Sequence, residues 1–243
     1  MKKILLLACL CTIAVLSFVA CSCDDENDIL KNRAVTISFE SYTGEKISPQ
    51  TIGAGMKATE PVLNRGRDGY KFVGWYDGDR RWDFEKNTVT KDLTLYAKWE
   101  KYLSFASVSE IDSEYIKSQF STEEAKGVIV TGCDYDIEDA VIPEAYNGKR
   151  VVGIYWAFAN RSALKSVSIP STVVFISANS FNNCPKLTRV VIPNSVTKIE
   201  AGAFSACPQL ENILCEAESQ PSGWRIGWNS SNCHVEWGYK KEG

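Results

Sequence analysis

Histidine chemistry depends on one residue, because His234 is the only imidazole among 243 residues. A Ser-His-Asp or Cys-His arrangement would have to be built on it, yet it lies near the C-terminus, where a structural histidine is expected. The acidic run 134–139 has Asp139 where an EF-hand loop requires glycine, and is expected to form a polar turn. Carboxylate pairs for glycoside hydrolysis depend on distances in space and stay open. We predict no catalytic, cofactor or metal site.

The thiols are the other reactive groups, and the chain has nine cysteines. Cys184 and Cys207 occupy equivalent places in adjacent sequence repeats, which brings their Cα atoms near the disulfide range of about 4.4–6.8 Å. Small thiols commonly fill inward repeat positions, so we favour buried free thiols there. A Cys215–Cys233 bridge is an alternative, and export permits disulfides without requiring them. The pairing stays open among Cys23, Cys133, Cys184, Cys207, Cys215 and Cys233.

Residues 1–20 are predicted to be an export signal, because Lys2 and Lys3 precede an apolar run that reaches Ala20. A transmembrane anchor is the alternative. The run is marginal for a bilayer core of about 30 Å, however, and the polar segment 24–28 follows at once. A cysteine at position 21 has no role in a plain spanning helix. Cys21 is therefore the predicted lipid attachment residue, followed by an acidic tether over 21–33.

The sequence Ser17-Phe18-Val19-Ala20-Cys21 resembles the lipobox of bacterial lipoproteins, which implies cleavage before the cysteine and acylation of its thiol. Two or more acyl chains hold a protein durably to a membrane. The acidic run that follows resembles the surface-export signal of Bacteroidetes lipoproteins, with Ser22 rather than Asp beside the cysteine; a solvated spacer is the alternative. These resemblances imply lipid anchoring in the outer membrane, with the chain at the cell surface and no other membrane contact.

The C-terminal half is a sequence repeat with an interval of 23 residues, which places Phe158, Phe181 and Phe204 at equivalent positions. The same interval relates Leu164, Leu187 and Leu210, and also Val167, Val190 and Ile213. A unit of this size cannot bury its apolar face alone, so successive coils are predicted to stack about 4.8 Å apart around one core. Each coil is expected to contribute two strands and a turn that sends its phenylalanine inward.

The segments 164–170, 187–193 and 201–204 resemble the leucine-rich repeats of BspA-class bacterial surface antigens. The resemblance extends from about Val128 to the C-terminus, where Pro221-Ser222-Gly223-Trp224 and Val235-Glu236-Trp237-Gly238 look like the closing segment of that family. It implies a leucine-rich-repeat solenoid with capping ends over 128–238. It also implies adhesion to proteins of a host or a neighbouring cell.

Residues 34–100 are predicted to be β structure, because segments such as 35–39 and 93–99 alternate apolar and polar side chains. The segment 69–76, together with Trp82-Asp83-Phe84, Val89 and the segment 92–99, resembles the Listeria-Bacteroides repeat, also called the internalin B-repeat. This resemblance implies a small β-grasp-like module that acts as a spacer or adhesive unit. Trp75, Trp82 and Trp99 could form a sugar-stacking platform, but core packing is favoured because so small a module needs its large aromatics inside.

Residues 101–127 are predicted to connect the two regions. A helix is expected within them, capped at Ser109 or Ser113 and with an apolar stripe that includes Tyr115 and Phe120. The predicted fold class is therefore mainly β, with a small β-grasp-like module followed by a leucine-rich-repeat solenoid.

The outward positions of the repeat strands form the candidate binding face. If Val167 and Ile169 point inward, their neighbours point outward. The candidate residues are Ser166, Ser168, Arg189, Val191, Asn212 and Leu214. Plain solvated surface is the alternative interpretation of this mixed stripe.

The expected function is non-enzymatic binding at the cell surface. The net charge of -3 becomes -5 when Lys2 and Lys3 leave with the leader, so a nucleic-acid partner is not expected. The expected partner of this monomer is a host or bacterial surface protein. A glycan-binding accessory protein is the alternative, with Trp224, Trp228 and Trp237 stacking on sugars if these indoles are exposed. No cofactor is expected.

Overall fold

The N-terminal module of the computed structural model, which describes residues 33–240, is a five-stranded mixed sheet. Strands β1 and β5 lie side by side and parallel, whereas the other neighbouring pairs are antiparallel. The strand order is β2-β1-β5-β3-β4. The strands are β1 (Ala34–Glu40), β2 (Gln50–Gly53), β3 (Tyr70–Asp77), β4 (Arg80–Arg81) and β5 (Leu93–Lys101).

The core of this module is built around Trp75, which is 1% exposed. The rings of Phe39 and Phe72 meet its indole edge-on at 5.2 and 5.8 Å. Trp99 packs at the margin of the core and donates its indole N–H to the carbonyl of Ser41 at 2.8 Å. Trp75 and Trp99 thus pack in and against the core, as favoured over a sugar-stacking platform, whereas Trp82 is half-buried.

The two regions are joined through one residue, Tyr102, which separates β5 from β6 (Leu103–Ser107). Its backbone N–H donates to the carbonyl of Gly69 in the module at 2.9 Å. Its hydroxyl donates to the carbonyl of Val141 in the repeat region at 2.7 Å and accepts from the N–H of the same residue at 3.2 Å. Strand β6 pairs antiparallel with the first repeat strand, so capping structure begins inside the segment predicted as a connection.

The repeat region consists of two sheets whose strands alternate along the chain. The first repeat sheet is entirely parallel, and the second is parallel except for β6 and the short β9. The first contains β8 (Asp139–Val141), β11 (Ser166–Ser168), β13 (Arg189–Ile192), β15 (Asn212–Cys215) and β17 (His234–Trp237). The second contains β6, β7 (Val128–Cys133), β10 (Lys149–Ile154), β12 (Phe175–Ile176), β14 (Lys198–Ile199) and β16 (Gly223–Trp224), with β9 (Ala145–Tyr146) paired to β10.

A ladder of phenylalanine rings runs through the space between these sheets. Phe158, Phe181 and Phe204 are each 0% exposed. Consecutive rings stack at 5.1 and 4.9 Å with interplanar angles of 3° and 2°. The spacing is close to the separation of adjacent strands in a sheet, so each ring follows its own coil. The prediction of coils stacked in register around one apolar core is confirmed.

The segment between β6 and β7 packs on the outer side of the second repeat sheet, where Phe120 and Phe175 belong to a buried cluster separate from the core between the sheets. It contains one α-helical turn, α1 (Glu114–Lys117), and two 3-10 turns, Val108–Glu110 and Glu124–Lys126. The Ser113 hydroxyl accepts from the N–H of Ile116 and so caps α1 as predicted. Tyr115, predicted for the apolar stripe, is instead exposed, and its hydroxyl donates to Glu200 at 2.6 Å. The fold class predicted from the sequence is the one observed.

Candidate binding surfaces of the repeat region

The predicted stripe lies on the outer side of the first repeat sheet, in strands β11, β13 and β15. Strand register places Ser166, Arg189 and Asn212 in one row across these strands, and Val191 beside Leu214 in another. Ser166 and Ser168 are exposed, and Val191 and Asn212 are half-buried. Register therefore brings these side chains together, as alternation along each strand requires.

Two members of the stripe are already engaged within the chain. The Ser166 hydroxyl donates to the carboxylate of Asp139 at 2.6 Å. The guanidinium of Arg189 donates to the Tyr239 hydroxyl at 2.9 Å and lies 5.4 Å from the centre of that ring. Tyr239 is fixed in turn, because its backbone N–H donates to the carbonyl of Cys215 at 2.9 Å. The C-terminal segment thus crosses part of the outer face.

Leu214 differs from the sequence expectation, because it is 5% exposed rather than solvent-facing. Leu214 lies in β15 next to Cys215, whose carbonyl accepts the hydrogen bond from the backbone N–H of Tyr239. The segment folded back over this edge shields it from solvent. Strand alternation predicted its direction correctly but contained no information about a covering segment. The stripe available to a partner is reduced to Ser168, Val191 and the partly engaged polar residues.

A second surface is formed by the turns that follow the strands of the second repeat sheet. Each coil has two residues with left-handed backbone, and both recur at the 23-residue interval. One position is filled by Asn160, Asn183 and Ala206, with φ between 53° and 60°. The other, which we call the outer-edge position, is filled by Trp156, Asn179 and Gly202, and then by Gly227 after a two-residue insertion.

Trp156 is the anomalous member of the outer-edge position. Glycine and asparagine tolerate left-handed backbone, whereas a bulky residue there is a strained outlier. Trp156 has φ 55° and its side chain is 55% exposed. Its backbone N–H donates to the buried Ser177 hydroxyl of the next coil at 3.2 Å, which fixes the turn. Such strain costs about 1–3 kcal/mol and clusters at functional sites.

Trp156 was not among the residues predicted from the sequence, although a signal was present. Counting two residues back from each ladder phenylalanine gives Trp156, Asn179 and Gly202. Later coils have asparagine or glycine at this position, the residues that best tolerate a positive φ. A tryptophan there is therefore an exception that the repeat alignment reveals. Ile226, which precedes Gly227, is 97% exposed and places a second large apolar side chain along the same edge.

The closing-segment tryptophans do not form a sugar-stacking surface. Trp224 and Trp228 are 4% and 5% exposed, and their rings contact each other at 4.7 Å. The indole N–H of Trp224 donates to the carbonyl of Val196 at 2.9 Å. Trp237 packs partly buried against them. These rings close the C-terminal end of the core, and the glycan hypothesis loses the site on which it was based.

Nucleophilic chemistry gains no support from the buried thiols. Cys133, Cys184, Cys207, Cys215 and Cys233 are free, and all but Cys233 are buried. The Cys184 and Cys207 thiols donate to the carbonyls of Phe158 and Phe181 at 3.0 and 2.9 Å. Burial raises the pKa of Cys133 and of Cys215 to about 12. Since the thiolate is the reactive form, Cys133 and Cys215 are expected to be unreactive. Cys184 and Cys207 are buried free thiols, as favoured from the sequence.

His234 is exposed at the start of β17, where its backbone N–H donates to the carbonyl of Glu211. Between residues 33 and 240, no group of three or more His, Cys, Asp or Glu side chains is placed to hold a metal ion. No helix in that range is long and apolar enough to cross a bilayer. The predicted signal peptide, Cys21, Cys23 and the tether up to residue 32 lie outside the described residues.

Comparison with known proteins identifies both regions. Residues 36–98 match the Listeria-Bacteroides repeat domain, and residues 138–224 match the BspA type leucine-rich repeat region in six copies. Two proteins of Evansella cellulosilytica, named "Putative membrane protein" and "Putative Gly-rich membrane protein", are each 42% identical over 91 residues, 33% of this chain. That match spans only 14% and 10% of their lengths.

Two solved structures are also similar. A leucine-rich repeat protein from Bacteroides ovatus is 24% identical with a TM-score of 0.36, covering 57% of this chain and 36% of that one. The T. pallidum leucine-rich repeat protein is 21% identical with a TM-score of 0.25, covering 39% and 66%. By the two family matches, this chain carries a Listeria-Bacteroides repeat followed by BspA-type leucine-rich repeats.

Proposed function

We propose that this protein is a non-enzymatic cell-surface lipoprotein that binds a protein of a host or a neighbouring cell through its repeat region. Acylation at Cys21 would tether it to the outer membrane, and the acidic segment that follows would hold the folded part away from the lipid. Adhesion in this form needs a rigid surface and no chemistry. The names of the Evansella relatives are consistent with a membrane location.

The observation that carries the proposal is Trp156. An exposed indole is costly to keep in water, and this one also occupies a strained backbone position. Tryptophan is among the residues that dominate the binding energy of protein interfaces, where it fills a pocket on the partner. The hydrogen bond from its N–H to Ser177 holds the turn in place before any partner arrives. Such pre-organisation lowers the entropic cost of association.

The predicted stripe is a second candidate surface for the same activity. Arg189 and Val191 remain accessible in part on the outer face of the first repeat sheet, on a different side of the coil from Trp156. Variants separate the two surfaces: Trp156→Ala removes the outer-edge indole, and the double variant Arg189→Glu/Val191→Glu reverses charge and polarity in the stripe.

The experiment is a binding array of host matrix proteins and bacterial surface proteins, probed with the purified mature chain. We expect captured partners to be lost with Trp156→Ala and kept with Arg189→Glu/Val191→Glu. The reverse result would move the contact to the stripe. Protease shaving of intact cells should release the chain, and Cys21→Ser should remove it from the membrane fraction. Capture that neither variant weakens, or protection from shaving, would contradict the proposal.

A further inference from the structure

The N-terminal module contains a cleft of about 850 Å³ between its sheet and two connecting segments. Its floor is strand β3 at Gly74 and Trp75, one wall is residues 57–60, and the other is residues 81–85. Small-molecule sites commonly have volumes of about 300–1,000 Å³. The cleft is therefore large enough for an organic ligand of several rings.

Both walls are fixed by hydrogen bonds. The Gln50 amide exchanges two bonds with the backbone of Thr59, at 2.7 and 2.8 Å, which fixes the first wall. The backbone N–H of Trp82 donates to the carbonyl of Trp75 at 2.7 Å, and the Asn87 amide accepts from the N–H of Asp83 at 2.7 Å, which fixes the second. These hydrogen bonds fix the shape of the cleft.

Arg81 crosses the floor of this cleft. A β-bulge puts Gly74 at φ 149°, and a methyl group built on Gly74 would lie 2.9 Å from Nε of Arg81. The absence of a side chain at Gly74 thus lets the guanidinium lie against the backbone. Among residues 33–240, no hydrogen bond or ion pair occupies that guanidinium. Its unpaired N–H donors are consequently available to a ligand.

The remaining lining combines aromatic surface with charges of both signs. Trp82 and Phe84 are half-buried and supply the aromatic part of the lining. Lys57 adds a donor, whereas Glu60 and Glu85 add exposed acceptors.

We propose that this cleft binds a short neutral hexose oligosaccharide. Sugar hydroxyls both donate and accept, so adjacent hydroxyls can bridge Arg81 and a carboxylate, and the apolar face of a pyranose ring packs on an aromatic side chain. An anionic ligand would gain no net attraction, because Lys57 and Arg81 are matched by Glu60 and Glu85, and Asp83 is already paired with Lys86 at 3.0 Å. A purely apolar ligand would desolvate the charged groups without replacing their hydrogen bonds.

The test is calorimetric titration of the purified mature chain with cellotetraose, maltotetraose and mannotetraose, with tetragalacturonate and tetraglutamate as anionic comparisons. We expect at least one neutral tetrasaccharide to bind. Arg81→Gln and Glu85→Gln should each weaken it about tenfold or more, since each removes a hydrogen bond to a charged group. The matched control is Arg80→Gln, in the same two-residue strand but outside the cleft lining, which should change affinity less than about twofold.

Both cleft variants alter exposed side chains, and their thermal unfolding should match that of the parent. Failure of every neutral probe at millimolar concentration, binding of the anionic probes alone, or equal affinity in Arg81→Gln and Arg80→Gln would overturn the inference. The inference is independent of the proposed protein contact. Trp156→Ala should leave saccharide affinity unchanged, so the two proposals can fail separately.

Discussion

The inner ladder and the outer edge of the repeat region belong to the same coils but vary differently. The two positions are separated by a single residue, yet the inner one is phenylalanine in three successive coils and the outer one changes from Trp156 to Asn179 to Gly202. The inner rings stack within 5.1 Å of each other and are fully buried. Trp156 is more than half exposed in a backbone conformation that suits its smaller equivalents.

This difference shows where stacking restricts the sequence. A ring in the core must match the size and shape of the side chains in the coils above and below it. Because interiors are close-packed, a ring of the wrong size would clash or leave a cavity on both sides. An outer-edge side chain touches fewer neighbours, so only the backbone restricts it. A residue that violates even the backbone preference is the strongest candidate for a contact outside the chain.

Phe181→Ala should have the largest effect on stability, because this ring is stacked on both faces. We expect the free energy of unfolding to fall by about 3–5 kcal/mol, measured by urea denaturation. Phe181→Leu is the control and should cost less than about 1.5 kcal/mol, since it keeps most of the volume. An unchanged urea midpoint for Phe181→Ala would show that the ladder does not hold the coils together.

Ala206→Asn should have a smaller and opposite effect. Ala206 has φ 53°, and the equivalent residues in earlier coils are Asn160 and Asn183, whose amides are hydrogen-bonded to each other at 2.9 Å. Asparagine tolerates this backbone and would extend the amide ladder by one coil. We expect about 1 kcal/mol of added stability, or roughly 2–4 °C in the melting temperature.

Ala201→Asn is the matched control for that gain. Ala201 is an exposed alanine of the same coil, and its backbone is not left-handed. It should leave the melting temperature unchanged. Equal shifts in both variants would mean that left-handed backbone at Ala206 carries no strain.

The interior of the repeat region could be predicted from the sequence because periodic positions report a periodic environment. The 23-residue interval placed Phe181, Cys184 and Leu187 inside, and all three are buried. Features that depend on a single long-range contact produce no repeat in the sequence and could not be predicted from it. The burial of Leu214 beneath the C-terminal segment and the bond from Tyr115 to Glu200 join residues far apart in the chain.

The module was less predictable in its polar parts. Its aromatic residues indicated a core, and Trp75 is at the centre of it. The cleft, however, arises from a β-bulge at Gly74 and from Gln50 bridging to Thr59. Neither feature follows from alternation along a strand, because a bulge shifts the register and the amide bridge joins separate segments.

The most direct test of the whole account compares Trp156→Asn with Phe158→Ala in urea denaturation. Both remove an aromatic ring from the same coil. Trp156→Asn loses the burial of part of an indole but also removes the strain of a tryptophan with left-handed backbone. The two effects oppose each other, so the free energy of unfolding should change by less than about 1 kcal/mol. Phe158→Ala should lose about 3–5 kcal/mol. Losses of several kcal/mol in both variants would make Trp156 a structural residue and contradict its assignment to partner binding.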